Sequence, residues 1–288
     1  MKNQYFGDLN DYKKYGLLRA LGKDSRLRIT VCWTLTEDDT RSDGSRIKYL
    51  REPSRWRSFD PVVFDLLRER VLRRGIRRIE TVQRSNVLPN CTFFGDVIPD
   101  DASFRDDYFE RFFRFAEGAD LVFFDPDNGL GVKSIGRGDE KSSKYLYLCE
   151  LERAYRAGHS VLFYQHFPRK PRDEFLRNIV DQLRCLAGLR QVIAFSTSHV
   201  AFVLLPQPQH ETTLMSSAAG FVRRWGDVVH VTVHPISTHG SCDNQPVQMI
   251  KQPPRGKCRR FDDFTGDLGE YDVTNPRGPL SSYWESQG

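Results

Sequence analysis

The sequence predicts an α/β protein with a mostly parallel central sheet and helices on both faces of that sheet. Short apolar runs typical of strands alternate with longer amphipathic stretches along most of the chain, which indicates a sheet layered by helices. Two of the runs, residues 121–124 and, within the predicted strand 160–164, residues 161–164, are unbroken apolar segments closed by polar turns. Such runs are typical of parallel strands that are buried on both faces.

The first ninety or so residues supply the following elements in order. Apolar residues at helical spacing predict a first helix, and a β-branched run follows it directly. A long polar stretch then interrupts the pattern before helical spacing resumes and ends near Gly75. We predict a helix over residues 8–22, a strand over 27–33, a loop over 34–53, a helix over about 61–75, and strands over 76–82 and 91–94.

The rest of the pattern alternates more regularly. Glycine residues close several helices, and each following strand is apolar and short. We predict helices over residues 104–115, 144–157 and 172–186, strands over 120–124, 160–164, 191–196 and 200–205, and a helix end followed by a last strand within 221–233.

Composition limits the class of protein and its domain organisation. The chain has 288 residues, of which 39% are hydrophobic and 12% aromatic, so we expect a packed core rather than disorder. No apolar run approaches the roughly 20 residues that span a bilayer, and the first residues lack a signal-peptide core. We therefore expect a cytoplasmic protein without a membrane partner, a catalytic α/β domain over 1–236, and an extended polar tail, docked or partly disordered, over 237–288.

Polar residues follow four of the predicted strands. They are Asp96, the turn Asp125-Pro126-Asp127-Asn128, the pair Gln165-His166, and residues 196–199. In open α/β sheets, ligands bind beyond the carboxyl ends of the strands, so these positions are the first candidates for a site. The turn after residue 124 is the sharpest, because two carboxylates that close a buried strand need a cation, a donor or water nearby.

Several segments together resemble a known enzyme family. The aromatic, glycine-containing run 5–15 ends in lysines, Asp125-Pro126 closes a buried strand, Lys144-Tyr145 opens the next segment, and a later strand ends in Tyr164-Gln165-His166-Phe167-Pro168-Arg169. In this order they resemble the large-subunit ribosomal RNA adenine methyltransferases, which depend on S-adenosylmethionine. The resemblance covers roughly residues 1–236 and implies a Rossmann-like methyltransferase fold.

The resemblance also implies roles for individual residues. Asp125 would accept a hydrogen bond from the exocyclic amine of an adenine-like base, within a catalytic set of Asp125, Asp127, Asn128 and His166. The cofactor would meet Asn10, Asp11, Lys14, Trp33 and Asp96. Asn128 stands where the family has an aromatic residue that stacks on the base, so Tyr164 or Phe167 is expected to stack instead.

A second departure leaves another function open. The family has a glycine-rich turn after its first strand, whereas Trp33 is followed here by Thr34-Leu35-Thr36, and the next glycine is Gly44. A methyltransferase-like fold that has lost this turn could serve as a binding module without catalysis.

A metal-dependent nuclease or phosphoester hydrolase is the third alternative. Asp125 and Asp127 flank a proline and could share Mg²⁺, since hard carboxylate oxygens suit that ion. Asp139-Glu140-Lys141 adds a loose likeness to the acidic and lysine positions of many nucleases. In the methyltransferase and binding-module alternatives no metal is expected.

The distribution of charge predicts a nucleic-acid partner, RNA or DNA. Residues 1–90 hold 20 Lys and Arg against 12 Asp and Glu, an excess larger than the net charge of +5 for the whole chain. Such a basic face suits phosphates, which dominate nucleic-acid affinity. The predicted contacts are Arg73, Arg74, Arg77, Arg78 and Arg169.

Overall fold

Seven strands form one mixed sheet in the order β2-β1-β3-β6-β8-β7-β9. The computed structural model describes residues 1–39 and 44–236. Two further short strands, β4 and β5, pair with each other beside the main sheet. The strands are β1 Ile29–Cys32, β2 Cys91–Phe94, β3 Leu121–Phe124, β4 Gly129–Leu130, β5 Tyr145–Leu146, β6 Ser160–His166, β7 Gln191–Ser196, β8 Val200–Leu205 and β9 His230–Pro235.

The parallel part of the sheet is β2, β1, β3 and β6, with Ile29 opposite Leu121 and Leu121 opposite Ser160. Strand β8 lies antiparallel between β6 and β7, and β9 is antiparallel to β7. The β7–β8 connection is only residues 197–199, and a connection this short joins antiparallel neighbours. The predicted parallel arrangement therefore holds for the core of the sheet, while its other half is antiparallel.

Helices cover both faces of the sheet, as predicted. The helices are α1 Leu9–Ser25, α2 Pro53–Trp56, α3 Pro61–Leu67, α4 Glu80–Gln83, α5 Ala102–Phe115, α6 Leu148–Arg156, α7 Arg172–Leu183 and α8 Glu211–Trp225. Helix α3 continues as a π-helical segment, Arg68–Arg73. Helices α1, α3 and α8 contribute to one apolar cluster and α5, α6 and α7 to the other.

Strand β3 separates these two clusters. Leu121 and Phe123 belong to the first cluster and Val122 and Phe124 to the second, and all four side chains are fully buried. Alternate side chains of a strand point to opposite faces, so an unbroken apolar run is what a doubly covered strand requires. This burial places the polar turn that follows Phe124 at the carboxyl edge of the sheet.

Two predicted elements are wrong in detail. The strand expected over 76–82 is instead a turn followed by α4, because Ile79 and Val82, three positions apart, share one face of a helical turn and pack into the first cluster. The helix expected from residue 144 begins at Leu148, because Tyr145 and Leu146 pair with β4.

Within residues 1–39 and 44–236, no helix is long and apolar enough to cross a membrane. The predicted tail, residues 237–288, lies outside the described residues.

Candidate active site

The turn after β3 lies at the centre of the carboxyl edge, between the ends of β1 and β6. The backbone N–H of Asp125 donates to the carbonyl of Cys32 at 3.1 Å, which ties the turn to the end of β1. The Asp125 side chain is 3% exposed. A carboxylate this deeply buried needs a partner in the protein, because burial of an unpaired charge is costly.

Lys14 of α1 supplies that partner. Its Nζ lies 2.6 Å from Oδ2 of Asp125 and 2.7 Å from Oδ1 of Asp11. The same ammonium lies 5.2 Å from the ring centre of Tyr15 and 5.5 Å from that of Trp33, within the range of cation–π attraction. Four of the predicted site residues, Asp11, Lys14, Trp33 and Asp125, thus meet at one point.

The charges of this cluster are only partly balanced. Burial raises the pKa of Asp11 to about 6, against the attraction of Lys14, and the charge of Asp125 adds to the rise. Burial alone would lower the pKa of Lys14, but the carboxylates of Asp11 and Asp125 outweigh it and raise that pKa. Lys14 is therefore charged near neutral pH, and Asp11 can exchange a proton there.

Three oxygen atoms next to the cluster converge on the amino group of Met1. The carbonyl of Asp125 accepts from it at 2.9 Å and the carbonyl of Thr34 at 3.1 Å. Oδ1 of Asp127 lies 2.9 Å from the same nitrogen, an ion pair without the alignment of a hydrogen bond. The other carboxylate oxygen of Asp127 accepts from the Thr36 hydroxyl at 2.9 Å. These oxygens form an acceptor set suited to an ammonium group.

Thr34 reaches this acceptor set through an unusual backbone conformation. Its φ is +41°, a left-handed value that glycine adopts easily and a β-branched residue rarely does. Thr34 is the first residue of the turn that is rich in glycine in the methyltransferase family that the sequence resembles. The neighbouring Trp33 is fully buried and stacked on Phe93, and its indole N–H has no hydrogen-bond partner among the residues that the structure describes.

Gln165, at the end of β6, holds the far side of the turn. Its Oε1 accepts from the backbone N–H of Leu130 at 2.9 Å, and its Nε2 donates to the carbonyl of Asn128 at 3.3 Å. The backbone N–H of His166 donates to the same carbonyl at 3.0 Å. Gly129 has φ +110°, and a Cβ there would lie 2.4 Å from Oε1 of Gln165, so the close packing requires glycine.

Other predicted site residues lie away from the Lys14 cluster. Asp96 is exposed and pairs with Arg111 at 3.1 Å. Asn10 lies in the first turn of α1, where its backbone N–H donates to the side chain of Asp8. The side chain of Asn128 hydrogen-bonds Tyr145. His166 is exposed at the end of β6.

The aromatic residues expected to stack on a base are used inside the protein. Phe167 is buried and packs against Phe175, and Tyr164 packs edge-on against Phe202. Both rings therefore contribute to packing around the end of β6, and the turn itself carries no aromatic side chain.

The predicted phosphate-binding arginines have different surroundings. Arg73 and Arg74 are exposed and pair with Glu69. Arg77 donates to the backbone carbonyls of Phe6 and Gly44, so its guanidinium fastens the N-terminal segment. The remaining two predicted arginines, Arg78 and Arg169, are exposed.

The carboxylates of the metal alternative face different partners. Asp125 meets Lys14, whereas Asp127 meets Met1 and Thr36. Asp139 accepts from the backbone of Gly136 within its own loop. In the described part of the chain, no three or more histidine, cysteine, aspartate or glutamate side chains gather in a way that could hold a metal ion.

Thr36 contacts the turn without having been predicted as a site residue, and so does the backbone of Thr34. Gln165 was among the candidate positions at the strand ends, but no catalytic or cofactor-binding role was predicted for it. The only indication for Thr36 was weaker: it lies three residues beyond the end of the predicted first strand. The contacts of Thr34 depend on its backbone angle, which the residue type does not favour.

Comparison with known proteins identifies no family. No protein-family model matches the chain, and no curated protein sequence matches it. Among solved structures, protein LPL1258 from Legionella pneumophila is similar with a TM-score of 0.40 and 11% identity, over 81% of this chain and 98% of that one. Human methyltransferase-like protein 13, in complex with SAH, has a TM-score of 0.31 and 12% identity, over 83% and 97%. Scores this low carry no argument about function.

Proposed function

We propose that this chain transfers a methyl group from S-adenosylmethionine to an amine of a nucleic-acid base. The observation that carries the proposal is the acceptor set formed by the Thr34 carbonyl, the Asp125 carbonyl and the Asp127 carboxylate. These oxygens surround the amino group of a methionine residue, Met1, within a few ångströms of the buried Asp125 carboxylate. The cofactor carries the same chemical group, the amino group of its methionine part.

The donor set also fits the rest of such a cofactor. Thr34 adopts the backbone conformation of the missing glycine and brings its carbonyl to the amino group. The indole N–H of Trp33, which has no hydrogen-bond partner in the described part of the chain, offers a donor from the residue before Thr34. Cofactor binding at these residues requires Met1 to move aside, because both amino groups need the same three oxygens.

In this proposal Asp125 accepts a hydrogen bond from the amine of the base. The lone pair of the amine nitrogen is then directed at the methyl group that the nitrogen attacks. When bound, the cofactor supplies the electrophilic methyl group. Lys14 orients the Asp125 carboxylate, and the two carboxylates around Lys14 leave one negative charge to stabilise the positive charge that develops on the amine. Asp11, with a pKa of about 6, is suited to hold a proton during the cycle.

A second function, binding without catalysis, is favoured by one observation. Two of the three Asp125 oxygens that could meet the amine are already used by this chain: Oδ2 by Lys14 and the carbonyl by Met1. A module that only binds a nucleoside-like ligand would not need to free them.

The test combines two measurements on the full chain. Calorimetry with S-adenosylhomocysteine measures cofactor binding, and transfer of labelled methyl groups to total RNA or genomic DNA measures catalysis. We expect Asp127→Asn to weaken cofactor binding, because the ammonium loses its anionic partner. Asp125→Asn should retain binding and lower methyl transfer by roughly 100-fold or more, the usual cost of a group that acts on the transition state.

The matched control is Asp65→Asn, which removes an exposed carboxylate paired with Arg57 and should change neither measurement. Absence of binding by the unaltered chain at millimolar S-adenosylhomocysteine would end the methyltransferase proposal. Binding without any methyl transfer to either nucleic acid would favour the binding module.

A further inference from the structure

Five basic side chains lie close enough to act on one another electrostatically, near the end of β6. We call them the cationic cluster: Lys13 of α1, Arg46, His166 at the end of β6, Arg172 at the start of α7, and His199 in the β7–β8 turn. They come from five separate segments, so helical or strand periodicity does not explain why they meet.

Backbone contacts bring these segments together. The carbonyl of Arg46 accepts from the N–H of Leu9 at 3.1 Å, which places Arg46 against the first turn of α1. The carbonyl of His199 accepts from the N–H of Phe167 at 2.9 Å, and His166 pairs with Val200 across the antiparallel ladder. The guanidinium of Arg172 lies 5.8 Å from the ring centre of Phe167.

The positive charges in this cluster act on one another. Partial loss of hydration lowers the pKa of His199, which is otherwise exposed, and the charges of Arg46, His166, Arg172 and Lys13 lower it further. Burial and Arg46 lower the pKa of Lys13 to about 8, and Asp8 partly opposes them.

One carboxylate, Asp8, balances part of this charge. Its Oδ2 lies 3.5 Å from Nε of Arg46, and its Oδ1 accepts from the first turn of α1. Within residues 1–39 and 44–236, Asp8 is the one carboxylate that is paired with, or acts on, any of the three cations Arg46, Arg172 and Lys13. Like charges held together in this way cost stability, and a bound anion offsets that cost.

The surroundings suit a phosphate group. Helix α7 has twelve residues and begins at Arg172, and the side chain of its N-cap residue, Pro171, makes no capping hydrogen bond to the first N–H groups of the helix. Such N–H groups at the start of a helix favour an anion. His166, Arg172 and His199 are exposed and reachable from solvent, whereas Lys13 is buried and fixed in place. The backbone of His166 hydrogen-bonds the carbonyl of Asn128, so the cluster borders the candidate active site.

We propose that the cationic cluster binds a backbone phosphodiester of a single-stranded nucleic acid whose neighbouring base reaches the Asp125–Asn128 turn. The cluster, rather than the arginine-rich segment 68–84, then anchors the substrate. Only the identity of the ligand rests on the proposed function, because phosphate binding can be measured without cofactor or methyl transfer.

The experiment measures binding of a fluorescent ten-nucleotide RNA and of a DNA of the same sequence to the full chain, at several salt concentrations and pH values. We expect Arg172→Gln and His199→Gln each to weaken binding roughly three- to tenfold below pH 6. The slope of log affinity against log salt should become shallower by about 1 for Arg172→Gln. RNA and DNA together show whether the phosphodiester alone or also the 2′-hydroxyl is recognised.

Affinity should rise as the pH falls from 7 to below 6, because His199, whose pKa is lowered, gains charge only there. It should fall above pH 8 as Lys13 loses its proton. His199→Gln should flatten the first change. Arg153→Gln, an exposed arginine paired with Glu110 on α5, is the control of equal charge and should bind normally.

Two outcomes would overturn the proposal: binding that does not change in Arg172→Gln and His199→Gln, or binding lost in Arg73→Gln/Arg74→Gln and unchanged in the cluster variants. The second would place the nucleic acid on segment 68–84. Circular dichroism of each variant separates loss of binding from loss of folding. If the chain binds RNA but calorimetry shows no binding of S-adenosylhomocysteine, the phosphate-binding proposal stands and the proposed methyl transfer is wrong.

Discussion

Two buried ionic clusters are carried by helices on opposite faces of the sheet, α1 for one and α5 and α6 for the other, and they are built differently. The site cluster consists of Asp11, Lys14 and Asp125. The scaffold cluster consists of Arg105 of α5, Glu150 of α6 and Arg137. Both remove charges from water, which is costly unless each charge finds good partners.

In the scaffold cluster the partners are complete. Arg105 donates to both oxygens of Glu150, at 2.6 and 3.0 Å, and to the carbonyls of Ser142 and Tyr145. Glu150 also accepts from Arg137 and from the backbone N–H of Tyr147, the N-cap residue of α6. These bonds join two helices and the β4–β5 segment, so the cluster holds the fold together.

The site cluster is incomplete by comparison. Asp11 has a pKa raised to about 6, and the nearby Asp127 and Trp33 each keep a polar atom without an aligned hydrogen bond among the described residues. Buried polar groups are nearly always satisfied in native proteins, and two of the five exceptions among the described residues lie here, which favours a site over a scaffold. The completeness of bonding separates the two kinds of cluster better than burial does.

The largest expected effect comes from a substitution that breaks the scaffold cluster. Arg105→Gln leaves Glu150 buried with a weakened set of cations, and we expect a loss of about 3–5 kcal/mol in the free energy of unfolding. Urea denaturation measures it, with Arg153→Gln as the exposed control that should cost only about 0–1 kcal/mol. A loss below about 1 kcal/mol in Arg105→Gln would show that the scaffold cluster does not stabilise the fold.

Two glycine substitutions, with smaller expected losses of stability, distinguish the cost of backbone strain from the cost of disturbed packing at the site. Gly129 and Gly158 both have positive φ, +110° and +93°, but only at Gly129 would a Cβ meet another atom, Oε1 of Gln165. Gly158→Ala should cost about 1–2 kcal/mol from strain alone. Gly129→Ala should cost about 1–3 kcal/mol more, because Gln165 loses its bond to Leu130. Equal losses in urea denaturation would mean that Gln165 does not anchor the turn.

The smallest effect is the pH dependence that Asp11 contributes. Its pKa is 3.8 in the unfolded chain and about 6 in the fold, so the folded chain binds more protons between these values and stability falls as the pH rises from 4 to 6. We expect a decrease of about 1–3 kcal/mol that Asp11→Asn abolishes. Unfolding at pH 4.5 to 7.5 tests it, with Asp65→Asn as an exposed control. A wild-type slope that persists in Asp11→Asn would assign it to another group.

Local pattern predicted most of the fold. Strands β7 and β8 begin and end where the apolar runs and the turn residues indicated. The apolar run before Asp125 forms β3, a central strand of the sheet, as predicted. The failures were also local in origin. Ile79 and Val82, three positions apart, share a face in a helical turn and not in a strand, but a run this short shows too little of its period to be read reliably. Strands of two residues such as β4 and β5 are too short to show any period.

The candidate site could be predicted only in part. The polar strand ends indicated where to look, and the resemblance brought Asp11 and Lys14 to Asp125. Nothing local indicated that Arg77 would bind backbone carbonyls, or that Tyr164 and Phe167 would be used for packing. Such roles depend on which surface lies opposite a side chain, and that surface comes from distant parts of the chain.

The sequence by itself determined the succession of helices and strands and the polar turn at the end of β3, because hydrophobic periodicity and turn chemistry act between near neighbours. Tertiary structure alone decided that Lys14 meets Asp125 across 111 positions, that Thr34 takes a glycine-like backbone, and that five basic residues gather beside the turn. These contacts arise when helices pack on the sheet, and the burial of many apolar side chains sets their geometry and offsets their electrostatic cost.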